Sequence, residues 1–323
     1  MAVTSATLWE AVMGLLNFKK RADAAKPVNP QSEAFLQGYS IEVMPRTAEK
    51  VENFRDLLPE GTRVYIAHIE GTPIEEMVAT ARRLAREGYP VMPHFPARII
   101  ADEAMLADWI ARYQGEAGVD QALLLAGGVA KPLGAFDSSM QLMQTGLFEK
   151  AGFKRLHVAG HPEGNRDIDP DGGHDNVSEA LRWKQAYCDA TNVEMALATQ
   201  FAFDAKPIIA WADRLRSEGI TMPVHIGIAG PAKLQTLIKF AIACGVGPSL
   251  KVLQKRAMDV SKLLLPYEPT EVLADLAAHK AAHPDFNVER VHFFPLGGIK
   301  TNAEWAMENG GASGVPASQT QQG

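Results

Sequence analysis

Glu42 lies in an otherwise apolar run, YSIEV, at residues 39 to 43. A carboxylate withdrawn from water in such a run has its pKa pushed up, toward the range where it serves as a general acid. The plainer alternative is a carboxylate fixed by an arginine, for which Arg46 is the candidate. Four of the nine histidines, His68, His94, His161 and His225, fall at or just past the ends of comparable β-rich runs. Such histidines could ligate the metal of a hydrolase or form a hydrogen-bonding wall. No HxH pair follows the first run and no HExxH is present, which favours the wall. In AGGVAKPLG, residues 126 to 134, Ala126, Gly127 and Gly128 offer backbone amides that a flat or anionic ligand can approach closely. GHPEGNRD, residues 160 to 167, is a polar loop longer than a minimal connection and carries Asn165. TQFAFD, residues 199 to 204, sets Gln200 among aromatic neighbours, where its amide can read the edge of a heteroaromatic ring. Phe201 and Phe203 suit core packing equally well.

Short β-rich runs alternate with longer segments of helical period. The strand candidates are residues 39–43, 63–68, 90–94, 120–126, 154–160, 195–201, 222–227 and 290–295. Helix ends are written in the turns. Thr72 and Glu75 spell a capping box with Pro73 at the first helical position, and Gly88 supplies the stop. Asp204 and Gly219 bracket the segment after the sixth strand, Pro231 and Gly245 the one after the seventh. Eight strand-helix periods fit an α/β fold of the (β/α)8 TIM barrel type, with its chemistry at the carboxyl ends of the strands. The expected organisation is an N-terminal helical extension over residues 1–37, the barrel over 38–309 with a helical insertion at 246–286 before strand eight, and a disordered Gly/Ser-rich tail over 310–323.

Of 323 residues, 46% are hydrophobic and 22% charged, enough to bury a large core. With 32 Lys and Arg against 38 Asp and Glu the formal net charge is −6, without basic blocks, which argues against nucleic acid as a partner. Cys188 and Cys244 form no CxxC and read as reduced structural thiols. Residues 6 to 21, ATLWEAVMGLLNFKKR, place their basic residues after the apolar ones, the reverse of a secretory signal, and no run has a membrane span's length. A cytoplasmic protein with no membrane partner is expected; the oligomeric state, a homo-oligomer included, is left open.

At these segments the sequence resembles the methylenetetrahydrofolate reductase family, flavoprotein barrels of one-carbon metabolism. SIEVMPRT (40 to 47) is similar to the family's first-strand serine, glutamate and proline, and PHF (93 to 95) to its third-strand proline-histidine-leucine. LLLAGG is similar to its leucine-arginine-glycine-aspartate motif, and AGHPEGN to its tyrosine-proline-glutamate loop. TQFAFD resembles its threonine-glutamine, triple-phenylalanine, aspartate motif, and HIGIAGP (225 to 231) its proline-glycine-isoleucine with a later proline. The resemblance runs in order over residues 38 to 300. It implies noncovalent FAD, with NADH or NADPH as co-substrate, and hydride passing between flavin N5 and the methylene carbon of 5,10-methylenetetrahydrofolate. It implies Glu42 as the general acid, and Gln200, Phe201 and His225 as substrate-binding residues. His68, His94, Ala126, Gly127, Gly128, His161, Asn165 and Lys184 would fall along the flavin and its phosphates, and no metal is implied.

The departures are specific. Gly128 stands for the family's aspartate, Ala126 for its arginine and His161 for its tyrosine, while His225 and Ile226 replace the proline before Gly227. Because FAD and folate are anionic, local positive potential is expected from Lys184, Lys131, Arg166 and the rim histidines. Two other readings stand beside the reductase: a metal-dependent barrel hydrolase using the rim histidines, and a flavin- or folate-binding barrel without catalysis.

Overall fold

Along each β-rich run the side chains point alternately to two surroundings, which is what a closed barrel inside a ring of helices requires. The computed structural model describes residues 30–258 and 266–311. Eight parallel strands close in chain order: β1 (Ser40–Val43), β2 (Val64–Ile66), β3 (Val91–Pro96), β4 (Gln121–Leu125), β5 (Arg155–Gly160), β6 (Glu194–Thr199), β7 (Val224–Ala229) and β8 (Val288–Phe294). Pairing of Ser40 with His292 and of Ile41 with Phe293 joins β1 to β8.

The helices, in chain order, are α1 (Pro30–Leu36), α2 (Pro45–Ala48), α3 (Ile74–Arg86), α4 (Glu103–Ala117), α5 (Ser139–Gln144), α6 (Leu147–Lys150), α7 (Asp175–Ala190), α8 (Ala205–Ser217), α9 (Leu234–Ala243), α10 (Gly247–Met258), α11 (Thr270–Ala282) and α12 (Ile299–Glu308). Their apolar stripes, such as Met77, Val78, Ala81 and Leu84 of α3, meet the outward strand residues Ile41, Ile66, Phe95, Leu124 and Val158 in one large core cluster. The inner cluster is small, formed by Tyr65, Met92, Leu123 and Ala198. Much of the remaining interior is polar.

Three local expectations change. The Thr72–Glu75 capping box does not form: Pro73 takes the cap position with extended backbone and no side-chain cap. Thr72 is one residue too early, its N–H closing a turn onto the Ile69 carbonyl. Pro231 does not open a helix, because Ala232 is held extended in an antiparallel bridge with Tyr267, and α9 begins at Leu234. The segment 270–282, assigned from sequence to the insertion, is α11, which packs on α1 and α8 in the helix layer. The α9–α10 pair is instead the added element, covering the β6 and β7 ends through Phe201, Phe203, Leu237 and Leu253. The expected helix at 6–21 and most of the expected tail lie outside the described residues, among which no helix is long and apolar enough to cross a membrane.

Gly227 shows how tightly the β6 and β7 ends are fitted. A Cβ there would stand 2.4 Å from the Thr199 carbonyl oxygen and 2.6 Å from the Gln200 backbone carbon. Gly227→Ala is therefore expected to cost about 1–3 kcal/mol, read as a lower urea midpoint at unchanged slope. A midpoint equal to that of the parent would contradict this fit.

Candidate active site

The floor of the site is a carboxylate between two imidazoles. Ser40 and Glu42, two residues apart on β1, share its inward face, and barrel closure sets His292 of β8 beside Ser40. Glu42 Oε2 lies 3.3 Å from His94 Nε2, contributed by β3, and 3.7 Å from His292 Nε2. Ser40 Oγ lies 2.9 Å from His292 Nδ1; with the hydroxyl donating there, the remaining ring N–H of His292 is directed at Glu42. Burial pushes the Glu42 carboxyl up, but the imidazoles of His292 and His94 outweigh it and bring it down to about 2. The expected upward shift is thus corrected: Glu42 is an ionised carboxylate held by histidines. The arginine alternative is corrected too, since Arg46 is exposed.

Below this floor, burial raises the Tyr65 hydroxyl pKa, so the group stays protonated. It hydrogen-bonds to His157 Nδ1 at 2.6 Å and lies 3.3 Å from His225 Nδ1. Desolvation, together with the nearby Arg63 and Arg155, drives both histidines well below the ordinary imidazole range, so they are neutral. Desolvation likewise lowers His292, partly opposed by Glu42.

Above the floor opens a cavity of about 1390 Å³. It is lined by Glu42, His68, His94, Ala126, Gly127, Gly128, His161, Asn165, Lys184, Gln200 and Phe201, which the fold thus brings together from sites far apart in sequence. His225 is not brought there; it lies inside the barrel, 3% exposed, on Tyr65, which corrects its place in a substrate site. Phe201 both faces the cavity and packs on Phe203 and Phe294. Gln200 Oε1 accepts the Phe201 N–H at 3.2 Å, leaving its NH2 to donate. His68 Nε2 donates to the Thr72 carbonyl at 2.9 Å, and its ring stacks on Trp109.

Lys184 projects from α7, 7% exposed and without a hydrogen-bond or ion partner among the described residues; desolvation lowers its ammonium pKa to about 8. Lys131 and Arg166 are exposed and do not line the cavity, which corrects their expected contribution. Arg98 does line it. It contacts Asp137 and Asp167 at 2.7 Å each and the Val129 carbonyl at 3.2 Å, tying together the loops after β3, β4 and β5. Among the described residues no three His, Cys, Asp or Glu side chains are grouped to hold a metal ion. Sequence reading missed Ser40, Tyr65, His157 and His292. Inward parity on β8 was the available signal for His292, since Phe293 on its other side joins the outer core.

Acid should unfold this protein in a defined order. His161, lowered to about 4 chiefly by desolvation and then by Lys184, binds its proton in the unfolded chain near pH 6.5 but in the folded chain only near 4. His157, His225, His292 and His68 shift in the same direction. Stability is therefore lost as pH falls below about 6.5, and the Glu42 contribution goes further down, between 4.5 and about 2. Urea midpoints measured from pH 8 to pH 4 should be level above about 7 and fall steadily below about 6. A midpoint independent of pH down to about 5 would contradict neutral burial of these rings.

No protein-family profile matches this chain. Among solved structures it is similar to an uncharacterized protein from Clostridium thermocellum, described as binding two copies of 5-methyl-5,6,7,8-tetrahydrofolic acid. The TM-score is 0.52 and the identity 10%, over 87% of this chain and 97% of that one, a likeness that shows the shared fold.

Proposed function

We propose that the chain binds a reduced folate at the barrel mouth and, with FAD as redox group, interconverts 5,10-methylene- and 5-methyltetrahydrofolate. The observation that carries this reading is Glu42, an ionised carboxylate at the floor of a large cavity with imidazoles on its flanks. A binding barrel alone has little use for a carboxylate kept in the interior. The reduced folates bound by the structural neighbour make this ligand class the first to test.

The residues present suit a flavin dinucleotide. At about 1390 Å³ the cavity exceeds the ~300–1,000 Å³ usual for one small ligand. Lys184 offers a buried ammonium without a counterion among the described residues, and Gly127 and Gly128 present backbone without side chains. When bound, the flavin would supply hydride chemistry. The chain's part is placement, water exclusion and proton supply. Gln200 would donate its amide hydrogens to the pterin edge, Ala67, Leu125, Phe294 and Leu296 would shield the mouth from water, and Glu42, ionised at rest, would relay a proton to the ring nitrogen rather than store one.

A folate-binding barrel without flavin is the second reading, favoured by Ala126 and Gly128, which bring no charge to the cavity wall, and by the two folates of the neighbour. Purified protein should be yellow, and methyltetrahydrofolate should bleach it under anaerobic conditions. A colourless protein that cannot be reconstituted with FAD but binds two methyltetrahydrofolates by calorimetry would establish the second reading instead. Lys184→Met should weaken FAD binding by roughly 10- to 100-fold, the loss of one charge-assisted hydrogen bond; unchanged affinity would remove Lys184 from the site. Glu42→Gln should keep flavin binding and NADH or NADPH oxidation by an artificial acceptor while abolishing folate turnover. Folate turnover at the parental rate in this variant would exclude Glu42 from proton supply.

A further inference from the structure

Away from the barrel mouth, the fold gathers arginines on one face of α3. Arg82, Arg83 and Arg86 follow Ala79 by three, four and seven residues and so share a stripe of the helix. Ala79 is small and exposed, which leaves room along that stripe. Arg55 reaches the same place from the turn Phe54–Asp56, its Nε and Nη2 donating to the Glu87 and Arg86 carbonyls at 2.8 and 2.9 Å. The result is a hollow of about 360 Å³ lined by Arg55, Ala79, Arg82, Arg83, Arg86 and Glu87. None of these residues lines the cavity above Glu42.

Four guanidinium groups meet one carboxylate in this hollow, and that carboxylate is committed. Glu87 Oε1 accepts from Arg83 Nε at 2.8 Å, and Oε2 accepts the Phe54 N–H at 2.8 Å. Arg83 is committed as well, its terminal nitrogens donating to the carbonyls of Ala48, Val51 and Glu52. The other three arginines keep donors free. Arg82 has one contact, 3.3 Å to Glu116 of α4, and Glu116 also lies 3.8 Å from Arg112. The Arg86 guanidinium has no hydrogen bond or ion pair among the described residues, and neither has Nη1 of Arg55. Like charges at helical spacing repel, and the carbonyl end of α3 offsets only part of that repulsion.

We propose that this hollow is a binding site for a small polyphosphate, free or at the end of a larger phosphorylated molecule. Planar guanidinium groups fork onto phosphate oxygens, and three of them have donors to give. The volume lies at the low end of the ~300–1,000 Å³ usual for small-molecule sites. No aromatic ring and no apolar side chain larger than Ala79 lines it, so a base or other ring has nothing to rest on. Arg55, Arg82 and Arg86 hold the anion, while Arg83 and Glu87 hold the frame. The site is separate from the folate reading and stands or falls without it.

Titration calorimetry of the full chain with inorganic triphosphate at low ionic strength tests the site. Lys184 in the barrel mouth is another cation an anion could reach, so the parent and Lys184→Met are titrated side by side. Both should show triphosphate binding that depends on the α3 arginines. Arg82→Ala combined with Arg86→Ala should weaken it by at least about tenfold. The urea midpoint should stay that of the parent, because neither guanidinium holds backbone. Arg86→Lys keeps the charge but loses the fork, and should weaken binding by roughly three- to tenfold. Adenosine triphosphate should bind this site within about threefold of inorganic triphosphate, since only the phosphates are held. Full affinity in the double variant or in Arg86→Lys, or loss of all binding in Lys184→Met, would overturn the proposal. So would no binding at millimolar triphosphate, or arginine-dependent binding of adenosine triphosphate more than about tenfold tighter than that of triphosphate.

Discussion

An ionised carboxylate inside a barrel is tolerated only where hydrogen-bond donors converge on it, and this condition shapes the interior around Glu42. β1 places the carboxylate on the inward face at the floor of the cavity, and His94 and His292 approach it from neighbouring strands. Each partner then needs its own support. Ser40 fixes His292, whose ring packs on Tyr65, and the Tyr65 hydroxyl in turn joins His157 and His225. The layers of branched aliphatic side chains that commonly fill such barrels give way to a connected polar column. Cohesion comes instead from the outer shell, where strand backs and helix stripes form the main apolar cluster. Chemistry and stability are thereby assigned to opposite faces of the same strands.

That division explains what could be read in the sequence. The eight strands and most helix boundaries were legible because outward strand residues and helix stripes obey simple periods, and because Asp204, Gly88 and Gly219 mark ends through local geometry alone. The residues lining the cavity were largely legible too, since a polar residue at a strand's carboxyl end has few other destinations. The partners of Glu42 were not. His292 stands 252 residues from Ser40 and becomes its neighbour only when β8 pairs with β1. His225 had the right residue type and strand, but lies among the neutral rings below the floor. Local rules also lost to pairing at Pro231, where the Ala232–Tyr267 bridge delays the helix.

Charge in the cavity follows a similar logic. Against a net charge of −6, two exposed lysines, Lys50 and Lys300, line the cavity at its rim. Arg98 spends its guanidinium on Asp137 and Asp167, so it organises three loops and leaves little free positive charge for a ligand. Lys184 is the opposite case, a desolvated ammonium with no counterion among the described residues. An anion reaching it would replace missing solvation as well as gain Coulomb attraction, which makes one buried lysine worth more than several exposed ones.

The barrel axis is electrically polarised. Arg63, Arg155 and Arg290 act on the lower rings, His157 and His225 are neutral in between, and the ionised Glu42 stands at the upper end. Neutral rings do not cancel the Glu42 charge, and the cavity wall above it is largely apolar, so its field is weakly screened toward the mouth. A ligand that stays neutral gains little there, whereas one developing positive charge on a ring nitrogen or an adjacent carbon gains more as the charge grows. Such an arrangement stabilises a cationic intermediate more than the neutral ground state, which is the condition for catalysis rather than for binding alone.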